Sequence, residues 1–232
     1  MPWQGSPSGR AAAAALLFET RFENKPYPAT IGFWERSMRT GGEVVYVAFG
    51  ANLGDREAAF AAAIEAIEKD PDLALVRAST ALETNPIGPP GQDSYLNAVV
   101  ELRVWIDPFE LLARLHRIER LVGRDRRRET ERWGPRRLDL DILIFGEQRI
   151  DSPQLVIPHP RAPERNFVMA PLAEIAPSLR HPLLGSLVAE IARSLPDPGS
   201  AHVWSNPSCW PSRTSGDPAD PHSAEPGDPL DP

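Results

Sequence analysis

Residues Leu96–Glu110 read LNAVVELRVWIDPFE. Leu96, Ala98, Val100, Leu102 and Val104 alternate with Asn97, Glu101 and Arg103, the period of a half-buried strand with one working face. Asp107-Pro108-Phe109-Glu110 then forms a capping box with proline at the first helical position. Leu111, Leu115, Ile118 and Val122 continue as a helical stripe, which Gly123 ends. A strand running straight into a capped helix is one half of a repeating layout, and the flanks supply the other half. Upstream, Val44–Phe49 reads as a strand between glycines. A helix follows from an Asp55 cap through Phe60, Ile64 and Ile67, and Pro71 stops it. Leu73–Ser79 is a second strand, and Asn85–Gly91 is a loop of turn formers. Downstream, an arginine-rich loop over Arg124–Arg137 leads to a strand at Leu138–Phe145, closed by Gly146. A short strand or turn is expected near Arg149–Ile150, then a loop to His159. Helical patterns occupy Arg165–Ile175 and Leu184–Leu195. The core order is βαββαβ, an α+β fold of ferredoxin-like type: an antiparallel sheet with helices packed on it, plus extra C-terminal helices.

The 232 residues divide into three expected parts. Residues 1–42 form a mostly irregular extension with one short helix near Ala11–Phe18, residues 43–195 the domain, and residues 196–232 a Pro-rich, acidic, disordered tail. One cysteine, Cys209, excludes a disulfide framework within the chain and a cysteine-based zinc site. No apolar run reaches the roughly 20 residues of a membrane span, and the expectation is a cytoplasmic monomer. The net charge of -7 conceals a local excess of arginine between Arg114 and Arg137. A basic patch in an acidic protein favours a small anion over a long nucleic acid.

The chemistry is concentrated in Leu138-Asp139-Leu140-Asp141-Ile142. Two residues apart on a strand, both carboxylates face one way, about 6.6 Å apart along the chain. Such like charges repel unless a cation lies between them, and paired divalent ions so held can clamp phosphate oxygens. The competing reading is an exposed strand face that carries two aspartates. Arg136 stands three residues before Asp139, where its planar fork could meet a phosphate. No glycine-rich phosphate loop of the G-x-x-x-x-G-K-[ST] kind occurs, so a nucleotide would bind without one.

The chain strongly resembles the 6-hydroxymethyl-7,8-dihydropterin pyrophosphokinase family. The resemblance rests on Phe49-Gly50-Ala51-Asn52-Leu53-Gly54-Asp55, on Thr84-Asn85-Pro86-Ile87-Gly88 with Tyr95-Leu96-Asn97, and on Glu131-Arg132-Trp133-Gly134-Pro135-Arg136 running into the aspartate pair. Pro158-His159-Pro160-Arg161 and Arg165-Asn166-Phe167 complete it, and together they cover about Val44 to Leu195. The resemblance implies magnesium-dependent transfer of pyrophosphate from ATP to 6-hydroxymethyl-7,8-dihydropterin, in folate biosynthesis. It implies that Asp139 and Asp141 bind two magnesium ions and that Arg124 and Arg136 steady the triphosphate. His116, Glu119 and His159 would belong to the ATP pocket. The pterin would stack between Tyr95 and Phe167, read by Asn97 and by the backbone of Thr84, Asn85 and Ile87, with Trp133 as a cover. Ala51 departs from the family's usual serine, and the Arg124–Trp133 loop, with Arg126, Arg127 and Arg128, is about two residues longer. The alternative is a ferredoxin-like RNA-binding module that uses the arginine loop, although two acids at the centre of its surface oppose that reading.

Overall fold

The computed structural model describes residues 41–86, 91–124, 134–196 and 202–203. The elements run β1 (Glu43–Ala51), α1 (Arg56–Lys69), β2 (Leu73–Ala78), β3 (Leu82–Thr84), β4 (Tyr95–Val104), α2 (Pro108–Leu121) and β5 (Asp139–Phe145). A small hairpin of β6 (Ile150–Asp151) and β7 (Val156–Ile157) follows, then a 3-10 turn (Ala162–Glu164), α3 (Asn166–Ile175), α4 (Val188–Ser194) and β8 (His202–Val203).

The helix starts are where the caps place them. Asp55 accepts from Ala58 N–H at 3.0 Å, and Asp107 accepts from Phe109 and Glu110 N–H at 2.9 and 3.0 Å. These carboxylates satisfy donors that a helix cannot pair internally. Gly123, at φ 89°, closes α2 in a conformation that glycine adopts without strain.

The sheet order is β5-β1-β4-β3-β8, with β2 on the same edge of β4 as β3. β1 and β2 are both antiparallel to β4, which lies between them. This is the split βαβ arrangement expected from the element order. Two layers cover the sheet. Val45, Val47 and Phe49 of β1, with Leu96, Ala98, Val100 and Leu102 of β4, pack under Phe60, Ile64, Ile67, Leu111 and Leu115. On the opposite face Tyr46, Val99, Leu143 and Ile144 meet Met169, Leu172, Ile175, Val188 and Ile191 of α3 and α4.

That second layer corrects the expectation of a half-buried β4. Asn97 and Glu101 are each only 6% exposed, because α3 lies across the face that alternation assigns to solvent. Glu101 tolerates burial through an ion pair with Arg77 at 3.2 Å and the Tyr46 hydroxyl, which donates to it at 3.2 Å. Burial, followed by the adjacent Glu101 charge, pushes the Tyr46 phenol well above its ordinary value.

Four smaller differences have local causes. Between the strand expected at Leu73–Ser79 and the loop expected at Asn85–Gly91 lies the short strand β3, held to β4 at Leu82, Glu83 and Thr84. The loop expected before His159 contains β7, paired with β6. The last helix begins at Val188 rather than Leu184, because His181 accepts from Leu183 and Leu184 N–H and Gly185 (φ 70°) turns the chain back. Within the Pro-rich tail, His202–Val203 pairs with Leu82 and Glu83 of β3. The expected helix at Ala11–Phe18 lies outside the described residues.

Candidate active site

Strand register builds the floor of a cleft. Gly50 of β1 lies opposite Asn97 of β4 and Asp139 of β5, and Ala48 lies opposite Asp141. The small residues Ala48 and Gly50 therefore leave space between flanking polar side chains. A Cβ built on Gly50 would sit 3.5 Å from Asn97 Oδ1 and 3.9 Å from Asp139 Cβ. The walls are Thr84, Asn85 and Tyr95, Arg136 from the segment before β5, and Arg161, Glu164, Arg165 and Phe167 from the 3-10 turn and the start of α3.

Thr84, Asn85, Tyr95, Asn97, Arg136, Asp139, Asp141 and Phe167 thus gather around a single cavity. Asn97 donates through Nδ2 to Thr84 Oγ1 at 2.7 Å, which leaves its Oδ1 over Gly50, facing the cleft. The Tyr95 hydroxyl donates to Gly134 O at 3.3 Å and ties that wall to the loop before β5. Ile87, Trp133, Arg126, Arg127 and Arg128 lie outside the described residues.

Arg124 and Glu119 stand behind the cleft rather than in it. Glu119 is 1% exposed, and its Oε1 accepts from Leu140 N–H at 2.9 Å and from Arg124 Nη1 at 2.7 Å. Arg124 also donates to Leu138 O at 3.1 Å and to Asp139 Oδ1. This buried chain of charge runs from α2 to the first aspartate and fixes its side chain. His116 is half-buried on α2 and does not line the cavity. His159 is anchored by its N–H, which donates to Leu143 O at 2.8 Å. Its Nδ1 accepts from Arg161 N–H at 3.2 Å, so Nε2, 4.0 Å from Asp141, carries the proton of the neutral ring.

The two aspartates differ electrostatically. Burial alone would raise the Asp139 pKa, but Arg124 and Arg136 outweigh it and hold the carboxyl below its usual range. Burial and the Asp139 charge push Asp141 up to about 7. Its side chain is 40% exposed to the open cleft, where solvent screens part of that cost. Burial, then the Arg165 charge, lowers His159 to about 4.

Arg165 belongs to the site, although sequence pattern gave it no role. Burial and the neighbouring Arg161 lower its pKa, and its guanidinium lies 5.8 Å from the Phe167 ring centroid. Its signal was the Arg165-Asn166-Phe167 block, whose arginine is only two residues from the expected aromatic wall.

The carboxylate pair fits hard divalent cations. Burial and then an adjacent negative charge raise Asp141, a penalty that a cation would relieve, and both donors are oxygen. Among the described residues no group of three or more ligating side chains exists.

Residues 46–177 match the model of the 7,8-dihydro-6-hydroxymethylpterin-pyrophosphokinase family. The chain is 43% identical over 132 residues to the 2-amino-4-hydroxy-6-hydroxymethyldihydropteridine pyrophosphokinase of Bacillus subtilis (strain 168), covering 57% of this chain and 77% of that protein. It is 45% identical over 138 residues to the protein of the same name from Pseudomonas aeruginosa, covering 60% and 83%. Among solved structures it resembles a Plasmodium falciparum HPPK-DHPS (A437G, with SDX-DHP) at TM-score 0.54 and 14% identity. That match covers 68% of this chain but only 46% of the longer one, and it shows the fold alone.

Proposed function

The chain belongs to the 7,8-dihydro-6-hydroxymethylpterin-pyrophosphokinase family, and from this premise we propose that the cleft between β5, β4 and α3 is where its reaction occurs. The enzyme transfers pyrophosphate from ATP to 6-hydroxymethyl-7,8-dihydropterin in folate synthesis, as an ATP-dependent diphosphotransferase. The observation that carries the site assignment is that Asp139 and Asp141 share one cavity with the two aromatic walls, Tyr95 and Phe167.

In the proposed arrangement the pterin ring lies between Tyr95 and Phe167. Asn97 Oδ1 accepts from the amino edge of the ring, and the backbone of Thr84, Asn85 and Ile87 reads the rest. The hydroxymethyl oxygen attacks the β-phosphorus in line. The bond from that phosphorus to the α-β bridging oxygen breaks, AMP leaves with the electron pair, and the hydroxyl proton passes to solvent. Arg136 and Arg165 oppose the charge that spreads over the transferring group. Two magnesium ions held by Asp139 and Asp141 would supply Lewis-acid neutralisation of the phosphates. Arg124 and Glu119 hold Asp139 in place, His159 presents an Nε2–H beside Asp141, and Trp133 covers the pterin.

The proposal takes the enzyme as a cytoplasmic monomer acting on free small molecules, with His116 on the nucleotide side. Among the described residues no helix is long and apolar enough to cross a membrane. The decisive experiment incubates purified protein with ATP, magnesium and 6-hydroxymethyl-7,8-dihydropterin. AMP and a pterin diphosphate are the expected products, and ADP or no turnover would reject the reading.

A further inference from the structure

Asn52 follows β1 directly, is 2% exposed and does not line the cleft. Its backbone N–H donates to Arg136 O at 2.9 Å, and its Oδ1 accepts from Arg136 N–H at 2.7 Å. These reciprocal bonds clamp one residue against another that is 84 positions away. Leu53 N–H adds a third bond, also to Arg136 O, at 3.1 Å. The other half of the same amide faces the opposite wall. Asn52 Nδ2 donates to Gln92 Oε1 at 3.1 Å and to Asp93 O at 3.3 Å.

The three side-chain bonds require one amide orientation. A flipped group would set a donor against Arg136 N–H and an acceptor against Asp93 O. Aspartate offers the acceptor but neither donor, and alanine offers nothing. Both anchored segments lead into the site. Arg136 lines the cleft three residues before Asp139, and Gln92–Asp93 lead within three residues to Tyr95.

We propose that Asn52 is a positioning residue that fixes the phosphate-side segment at Arg136 against the acceptor-side segment entering Tyr95, so that the two substrates meet in register. This rests on the function proposed above. Alignment of two reactants is steeply sensitive to small displacements of either wall. The acceptor-side segment has a second tether, since Arg56 Nη1 donates to Ser94 O at 2.7 Å. Losing the Asn52 donors therefore tilts that wall without detaching it.

The test compares N52D and N52A with wild type in steady-state assays of AMP formation, with thermal melts and pterin binding measured on the same samples. N52D keeps the acceptor for Arg136 N–H and loses both donors. Its KM for the pterin rises about tenfold while its KM for ATP stays within about twofold. N52A also loses the Arg136 bond, and its kcat falls by a further factor of about ten. Should N52A fail to fold, N52D alone decides. The proposal is overturned if the folded variants retain wild-type kcat and both wild-type KM values while only the melting temperature drops, or if N52D raises KM for ATP and spares the pterin. A wild-type protein that forms no AMP would instead reject the underlying function.

Discussion

Asp139 and Asp141 project from the same face of β5, yet their surroundings drive their ionisation in opposite directions. Arg124 and Arg136 both donate to Asp139, whereas Asp141 is raised by burial and by its neighbour's charge. One carboxylate is paired with arginines in place, and the other gives up its charge unless a cation meets it.

The two asparagine variants should therefore separate stability from turnover. Asp141→Asn removes a repulsion, so its melting temperature should hold or rise while turnover falls by a factor of about a hundred or more. Asp139→Asn strips a partner from two arginines, one of them buried, and should cost about 2 kcal/mol of stability as well as activity. Thermal melts beside initial rates check this. Equal stability losses in both variants would contradict the assignment.

Glu119→Ala tests the buried chain behind the site. It leaves Arg124 and Leu140 N–H without their shared acceptor, and loss of one member of a buried pair costs about 3 kcal/mol or more. Denaturant unfolding should show that loss, and a near-native midpoint would mean that Arg124 finds another partner. Glu119→Gln, which retains an oxygen for Leu140 N–H, should lose less.

Gly50→Ala tests the floor. The added Cβ meets its neighbours at ordinary contact distances and the backbone needs no positive φ there, so the fold should stand. The methyl group projects into the space that the pterin would fill, and KM for the pterin should rise about tenfold. An unchanged KM would place the ring elsewhere.

His181 gives a pH prediction away from the site. It is 4% exposed, its Nδ1 accepts from two backbone N–H groups, and burial lowers its pKa below the ordinary 6.5. The unfolded chain then binds a proton more readily than the folded one as pH falls through 6.5. Its contribution to stability is therefore present above that value and is lost on acidification below it. His181→Asn, which can still accept from the backbone but does not titrate, should flatten the slope of stability between pH 7.5 and 5.5. An identical slope in the variant would remove His181 as its source.

Much of this fold is legible locally. Caps at Asp55 and Asp107 and the stop at Gly123 are short-range signals, and all recur in the structure. The aspartate pair is legible for the same reason, since a strand obliges residues two apart to share a face. What the sequence conceals is which surface another element will cover. Alternation marks Asn97 and Glu101 as polar-facing but cannot announce that α3, some seventy residues later, will lie over them. Nor does a helix pattern reveal that Glu119 turns inward to hold β5, or that Arg165 closes a cavity floored by β1. β3, at three residues, is too short to show a period.

The opening turn of α3 has two duties. Arg165 and Phe167 face the cleft, and within five residues the same helix seals the sheet through Met169 and Leu172. An inhibitor that leans on Phe167 thus presses against a foundation stone. Escape substitutions there would loosen the protein that carries them, and resistance should arise first in the connecting loops, where change is cheaper.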